Sequence, residues 1–131
     1  MTIALPDQAR VLLDQPTFVT LTTLRADGTP HSTVMWADRD GDDIVFATVV
    51  GRVKERHLRR DARVSVSFFD PDNEYSYITI NGTATIEDGP AGAALIQDLS
   101  QKYRGEPYTS DRGTNNVRVL VRVTPDRVYP S

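Results

Sequence analysis

The chain contains no cysteine, and this absence excludes several classes of chemistry at once. Without thiols there can be no disulfide, thiolate nucleophile, iron–sulfur cluster or thiolate zinc site. Histidine is nearly as scarce, because the 131 residues include only His31 and His57. A site built from several histidines is therefore not expected, and we predict no bound metal.

Long apolar runs are missing as well. No stretch approaches the roughly 20 apolar residues that a membrane-spanning helix requires. The N-terminal sequence MTIALPDQAR carries an acid at Asp7 and no basic region, unlike a secretory signal peptide. We therefore expect a cytoplasmic protein with no membrane association.

A surplus of positive charge is also absent, since 15 Lys and Arg face 18 Asp and Glu. Nucleic-acid-binding domains usually carry the opposite balance, so we expect no nucleic-acid partner. The length and the 39% of hydrophobic residues suit one globular domain covering residues 1–131. A chain this short often gains stability by association, and we expect a homodimer.

Two-residue alternation bounded by turns is the clearest pattern that the chain does contain. TFVTLTTLR, PHSTVMWAD and DIVFATVV are separated by Asp-Gly turns and predict a β-meander in the first third. ARVSVSFFD and VRVLVRV alternate in the same way, the latter until Pro125 interrupts it. Asn81-Gly82 suits either a hairpin turn or a bulge within one long strand, and we favour the bulge.

Three segments predict short helices: ALPDQARVLLDQ, RVKERHLRRD and GPAGAALIQDLSQKYRG, the last ending at Gly105. Together the patterns predict a mainly β fold, a small antiparallel barrel of six to seven strands with two or three short helices. A barrel this small fills its interior with side chains. A sizeable ligand must then lie on the outer wall, in a groove completed by a second subunit.

Five basic residues and a histidine are concentrated in one segment, Gly51–Asp61. Arg52 and Lys54 lie where a strand gives way to a helix, and free backbone N–H groups at a helix start favour a phosphate. Arginine adds a planar fork and lysine a mobile point charge. The alternative is a solvated helix face, and for these two residues the sequence pattern leaves both interpretations open. The solvated face is favoured for Arg56, Arg59, Arg60 and Arg63.

The same segment carries a family resemblance. FATVVGRVKERHLRRDARVSVSFFD resembles the signature of the pyridoxamine 5'-phosphate oxidase-like split-barrel flavoproteins, and the likeness extends through LRADGTPHSTVMWADRDGDDIVF and the tail VRVLVRVTPDRVY. The resemblance implies an FMN-binding-like split β-barrel. It implies phosphate contacts from Arg52 and Lys54 with Thr48 alongside, further cofactor contacts from Val49 and Val50, and contacts to the cofactor ring from Ser32, Val34, Met35, Trp36 and Tyr77.

The chain also departs from true pyridoxamine phosphate oxidases. It stops at DRVYPS, where those enzymes continue into segments that hold the pyridoxal substrate, so oxidation of vitamin B6 is not expected. Its short length and its further arginines are closer to the branch that uses the deazaflavin coenzyme F420. That coenzyme carries a phosphate and a polyglutamate tail, and the resemblance implies that Arg56 or Arg60 meets the tail.

The resemblance therefore implies a homodimeric oxidoreductase that transfers hydride from reduced F420 to a small unsaturated substrate. One alternative is an enzyme using FMN in the same groove, and another is a flavin- or deazaflavin-binding protein without turnover. A barrel that binds nucleic acid is disfavoured because Gly51–Asp61 contains no aromatic residue. No protein proton donor is assigned.

Overall fold

The structure is a computed structural model that describes residues 2–130. Within that range the chain forms seven strands and three helices. In chain order they are α1 (Asp7–Asp14), β1 (Val19–Leu24), β2 (Pro30–Met35), β3 (Asp38–Asp40), β4 (Asp43–Val49), α2 (Val53–Arg60), β5 (Arg63–Asp70), β6 (Asn73–Glu87), α3 (Ala91–Arg104) and β7 (Arg118–Pro130).

All strand pairs are antiparallel, and the strands form one sheet in the order β2-β1-β5-β6-β7-β4-β3. This confirms the predicted mainly β split barrel. No helix within residues 2–130 has the length and apolar character needed to cross a membrane.

Both predicted Asp-Gly hairpins form, β1 with β2 and β3 with β4, but the continuous meander predicted for the first third of the chain is wrong because β2 and β4 do not pair. β2 pairs with β1, but β4 pairs with β3 and β7 on the other side of the sheet. β2 and β3 are its two edges, and the chain passes between them at Trp36 and Ala37. Alternation specifies a strand without specifying its neighbours. β4 is buried along nearly its whole length and is paired on both sides, with β3 and with β7.

The apolar side chains meet in one core inside the barrel. Its largest fully buried members include Phe46, Phe68, Ile78 and Ile80, which come from β4, β5 and β6. Helix α1 adds Ala9, Leu12 and Leu13, whose spacing makes one apolar helix face. The interior is filled by side chains, as predicted for a barrel of this size.

The long strand β6 contains the predicted bulge, because its register with β7 shifts between Asn81 and Gly82. Pro125 interrupts the two-residue alternation without ending the strand, since β7 continues to Pro130. Pro125 lies opposite Gly82 at the register shift, where a residue without an N–H is tolerated in a sheet. A Cβ on Gly82 would lie 2.4 Å from the carbonyl oxygen of Thr124, so this close approach requires glycine.

Helix α3 packs against β4 and β7. Gly92 makes the approach possible, because a Cβ there would lie 2.5 Å from the carbonyl carbon of Val119. The helix ends at Gly105 as predicted, with φ of 69° and its N–H donating to the carbonyls of Ser100 and Gln101. α3 and the loop that follows it, residues 105–117, are thereby fixed beside the ends of β2, β4 and β7.

Candidate functional site

A groove of about 460 Å³ lies between the end of β2 on one side and α3 with its following loop on the other. Side chains from three distant parts of the chain line it. They are Val34, Met35 and Trp36 from the end of β2; Ala47, Arg52 and Arg118 from β4, the start of α2 and β7; and Ile96, Leu99, Ser100, Arg104, Glu106, Pro107, Tyr108, Thr109 and Ser110 from α3 and the loop.

The register of β4 and β7 places the basic residues at one end of this groove. Arg118 lies directly opposite Val49, the last residue of β4, and the Val50 N–H donates to the Val117 carbonyl at 2.9 Å. The chain then turns at Gly51, whose φ of +92° is readily adopted only by glycine. Arg52 is the N-cap residue of α2, with an extended backbone. Arg52 and Arg118 are therefore neighbours across two adjacent strand ends.

Glu55, the acid in the first turn of α2, binds the preceding turn and does not pair with Arg52 or Lys54. Its buried carboxylate accepts the Gly51 N–H at 2.8 Å and also pairs with Arg59. The contact resembles a capping box, in which the glutamate accepts the N–H of the N-cap residue itself, here Arg52. The Gly51 N–H, followed by Arg59, lowers the pKa of Glu55 against the opposing effect of burial. The contact between Glu55 and the Gly51 N–H was not predicted from the sequence.

Arg52 and Lys54 remain without a carboxylate. In the part of the chain that the structure describes, neither side chain forms a hydrogen bond or an ion pair. Burial lowers the pKa of the half-buried Lys54, and the charges of Arg52 and Arg118 lower it further. An anion at this position would relieve the repulsion and restore part of the lost solvation.

We call the side chains of Arg52 and Lys54, together with the start of α2, the anion socket. Its donors suit a phosphate: a planar guanidinium, a mobile ammonium and the N-terminus of an eight-residue helix. Metal-ligating chemistry is different, and no group of three or more His, Asp or Glu side chains within residues 2–130 is arranged to hold a metal ion.

Trp36 forms the centre of an aromatic and basic wall next to the socket. Its ring stacks on Tyr103, with centroids 5.4 Å apart and planes 15° apart, and meets the edge of Tyr108 at 6.3 Å. The Arg104 guanidinium lies 5.1 Å from the Trp36 ring centroid, within the range of a cation–π contact. The Tyr103 hydroxyl accepts the Ala37 N–H at 3.0 Å. These contacts fix the orientation of Trp36 at the groove.

Of the side chains predicted to contact a cofactor, Val34, Met35, Trp36 and Arg52 line the groove. Lys54 does not line it, but it lies near enough to Arg52 and Arg118 to be repelled by both. The structure therefore brings together the basic pair and the wall at the end of β2, which were predicted from separate stretches of sequence.

The remaining predicted residues lie elsewhere in this chain. On the inner face of β4, Thr48 is 1% exposed and its Oγ1 has no hydrogen-bond partner among the described residues. Val49 is buried at the strand end and Val50 is exposed just beyond it. The exposed Ser32 shares a hydrogen bond with Thr22 at 2.8 Å. Tyr77 on β6 and Arg56 on α2 are both exposed outside the groove lining.

Sequence reasoning missed the residues that α3, the loop and β7 contribute. The most informative is Arg118, to which the sequence analysis assigned no role beyond the alternation of arginine and valine in this strand. Its Nε donates to Asp111 at 2.8 Å and its Nη2 to the Tyr108 hydroxyl at 2.8 Å. The arginines in VRVLVRV could have drawn attention to Arg118, but the sequence does not show that Arg118 would lie opposite the end of β4.

Comparisons with known proteins identify the family and the fold. A family profile described as Pyridoxamine 5'-phosphate oxidase matches residues 5–131. Among solved structures, an F420 reductase is 32% identical with a TM-score of 0.83, and the match covers 95% of this chain and 98% of the reductase. No curated protein matches the chain.

Two further structures show how widely the fold is shared. A conserved hypothetical protein from Mycobacterium tuberculosis is 28% identical with a TM-score of 0.78, over 98% of this chain and 85% of that one. A heme binding protein from Mycobacterium smegmatis is 18% identical with a TM-score of 0.74, over 98% of this chain and 55% of that one. The second likeness is one of fold alone.

Proposed function

The chain belongs to the pyridoxamine 5'-phosphate oxidase family, and on this premise we propose that it is an oxidoreductase that uses coenzyme F420. The observation that carries the proposal is the anion socket, where Arg52 lines the groove, Lys54 lies within repelling distance of it, and neither side chain forms an ion pair with a carboxylate. The similarity to an F420 reductase across nearly the whole of both chains supports the choice of cofactor.

In this proposal Arg52 and Lys54 hold the cofactor phosphate at the start of α2, and the wall from Val34 to Trp36 supports the ring. When bound, F420 supplies hydride transfer, since its deazaflavin ring has carbon where a flavin has its reactive nitrogen. The protein contributes orientation, and a fixed wall holds a small unsaturated substrate close to the ring. Arg56 lies one helical turn beyond Arg52, so it is placed to meet an anionic tail that extends from the phosphate.

FMN in the same groove is the second candidate, because an anion socket of this kind suits either phosphate. Binding without turnover is the third, and the heme binding protein with this fold shows that related barrels serve other ligands. These candidates differ in the ring that is recognised and in whether hydride is transferred, so binding and turnover have to be measured separately.

We also propose that two copies of the chain associate through the outer face of the sheet. This face has a polar centre that includes Thr20, Ser67 and Thr79. Large apolar side chains of the sheet and its margin remain exposed: Phe18 (63%), Val34 (67%), Phe69 (50%), Tyr77 (50%) and Tyr129 (47%). Covering them with a second copy would remove apolar surface from water. It would also allow Tyr77 of the partner subunit to approach the groove. Light scattering after size exclusion should give the mass of a dimer, and a monomer would contradict the proposal.

The cofactor assignment is tested by titrating the protein separately with F420 and FMN in a calorimeter. We expect F420 to bind more tightly than FMN. Tight FMN binding with little affinity for F420 would replace the first candidate with the second, and binding of neither would refute both. Oxidation of reduced F420, followed by absorbance after a small enone or quinone is added, separates an enzyme from a binding protein.

A substitution in the socket tests the phosphate assignment itself. Lys54→Ala should weaken binding of the favoured cofactor about 10- to 100-fold, as expected for loss of a charge-assisted hydrogen bond. It should not lower the free energy of unfolding, because the wild-type ammonium is partly desolvated and is repelled by two arginines. Arg63→Ala is the matched control, since it removes an exposed cation paired with Asp61 outside the groove. Unchanged affinity in Lys54→Ala would refute the assignment.

A further inference from the structure

Arg118 is a cation of the groove that already has a partner, unlike Arg52 and Lys54. Its side chain is only 6% exposed, and it lies where β7 begins, opposite the end of β4. Asp111 accepts from its Nε at 2.8 Å and from its Nη2 at 3.3 Å, and the Tyr108 hydroxyl accepts from Nη2 at 2.8 Å. The fork that would otherwise bind an oxyanion is thus held by a carboxylate of the same chain.

Asp111 belongs to the loop of residues 105–117, and its contacts organise that loop. It also accepts a hydrogen bond from the Asn116 amide at 2.9 Å, and its carbonyl accepts the Thr114 hydroxyl. Arg52 lies near enough to lower the pKa of the Asp111 carboxyl further, after the larger effect of Arg118. One carboxylate therefore faces the charges of two groove-lining arginines.

This carboxylate conflicts with the ligand for which the groove is suited. A phosphate bound near Arg52 would be attracted by Arg118 and repelled by Asp111, which occupies the same fork. Carboxylate and phosphate bind an arginine fork in the same bidentate manner, so one can substitute for the other. A buried arginine such as Arg118 can release its acid at small cost only when another anion takes its place, because an unpaired buried charge is strongly destabilising.

We propose that Arg118 is a further phosphate ligand of the groove and that Asp111 is its exchangeable counter-ion, displaced when the phosphate binds. Displacement releases the loop from Arg118 at Asp111. The Arg118 guanidinium, which donates to the Tyr108 hydroxyl, is then no longer held in its present position. Because the Tyr108 ring contacts Trp36 and is overlain by the Arg118 guanidinium at 5.1 Å, the exchange changes the surroundings of Trp36. The identity of the physiological ligand rests on the proposed function, whereas the exchange requires only a phosphate group.

Asp111→Asn tests the exchange, because it removes the charge and keeps nearly the same shape. The probe is inorganic phosphate, titrated calorimetrically at constant ionic strength. We expect phosphate to bind about tenfold more tightly than to the wild type, which corresponds to about 1.4 kcal/mol. Weaker or unchanged binding would overturn the proposal, since a carboxylate that only orients Arg118 toward the ligand would lower the affinity when removed. A wild type that binds no phosphate would also overturn it.

The matched control is Asp42→Asn. Asp42 accepts from Arg10 Nη2 at 2.9 Å and from the Leu5 N–H at 3.1 Å, so the same charge is removed from another arginine pair. It precedes the first residue of β4, one strand length from the socket. We expect less than a twofold change in phosphate affinity for this variant. A tenfold gain in both variants would mean that net charge alone is responsible, which contradicts the exchange.

A second measurement uses the wild type and does not depend on the variant folding. Trp36 is the single tryptophan, and phosphate is optically silent. Its fluorescence should change with phosphate concentration along the same curve as the heat of binding, and an unchanged spectrum would overturn the loop rearrangement. Failure of the proposed function is distinguishable: phosphate would behave as expected while F420 and FMN both fail to bind.

Discussion

Gly92→Ala is the substitution for which the structure and the usual helix rules disagree. Gly92 lies in the first turn of α3, where alanine would ordinarily stabilise the helix by about 1 kcal/mol. The structure predicts the opposite sign. A Cβ at this position would lie 2.5 Å from the carbonyl carbon of Val119 and 2.6 Å from its Cα and its nitrogen.

The magnitude follows from that overlap. Carbon atoms in ordinary contact are separated by about 3.5–4.0 Å, so α3 and β7 must move apart by about 1 Å. Backbone atoms of a central strand cannot yield as the end of a flexible side chain can, and overpacking of this kind costs about 3 kcal/mol. After the gain in helix propensity, we expect a net loss of about 2 kcal/mol. For a chain of this size that lowers the melting temperature by about 8 °C.

Thermal unfolding followed by circular dichroism, with urea unfolding for the free energy, measures this loss. Ala94→Gly serves as the control, because Ala94 is exposed on the same helix and should lose only the propensity difference of about 1 kcal/mol. Since α3 supplies Leu99 and Arg104 to the groove, Gly92→Ala should also weaken phosphate binding. A variant as stable as the wild type, or more stable, would refute the steric argument.

Two further predictions concern buried polar groups. Burial, and then the charge of Arg60, lower the pKa of His57, so its protonation favours the unfolded state. Stability should therefore fall as pH drops from about 6.5 through the lower folded pKa, and urea unfolding at pH 7 and pH 5 should show a smaller difference in His57→Gln; an equal difference would contradict this. Tyr103→Phe, which removes the partner of the Ala37 N–H, should lose about 1–2 kcal/mol in the same assay. The exposed Tyr75→Phe should lose almost nothing, and equal losses would count against the buried bond.

The parts of the fold that the sequence predicted are those that local chemistry determines. Two-residue alternation identified the strands. Gly105 identified the end of α3, and Asn81-Gly82 identified the bulge in β6. Each depends on residues that are adjacent in the chain. The effect of Pro125 depends on its cross-strand neighbour, which the sequence does not show, and the bulge in the partner strand lets β7 continue.

The candidate site was only half predictable for the same reason. Arg52 and Lys54 stand out in an acidic chain, and the end of β2 follows a recognisable hairpin. Arg118 and Tyr108 could not be assigned, since their place at the groove depends on how β7 pairs and how the loop folds back. The meander gave β4 only one neighbour, β2, and did not indicate which strand would pair with its other side, where β7 lies.

The pairing of β4 with β7 also determines when, during synthesis, the protein can first bind a ligand in the groove. Arg52 is synthesised early, but its neighbour across the strand ends is Arg118 in β7, which comes after the other six strands in the chain. Closing so long a loop is slow, because its entropy is lost before any contact across it forms. A nascent chain that stops before β7 would possess α2 and its cations without the groove. Ligand binding would then occur only after β7 has completed the barrel, and a cofactor present during synthesis would affect only that step of folding.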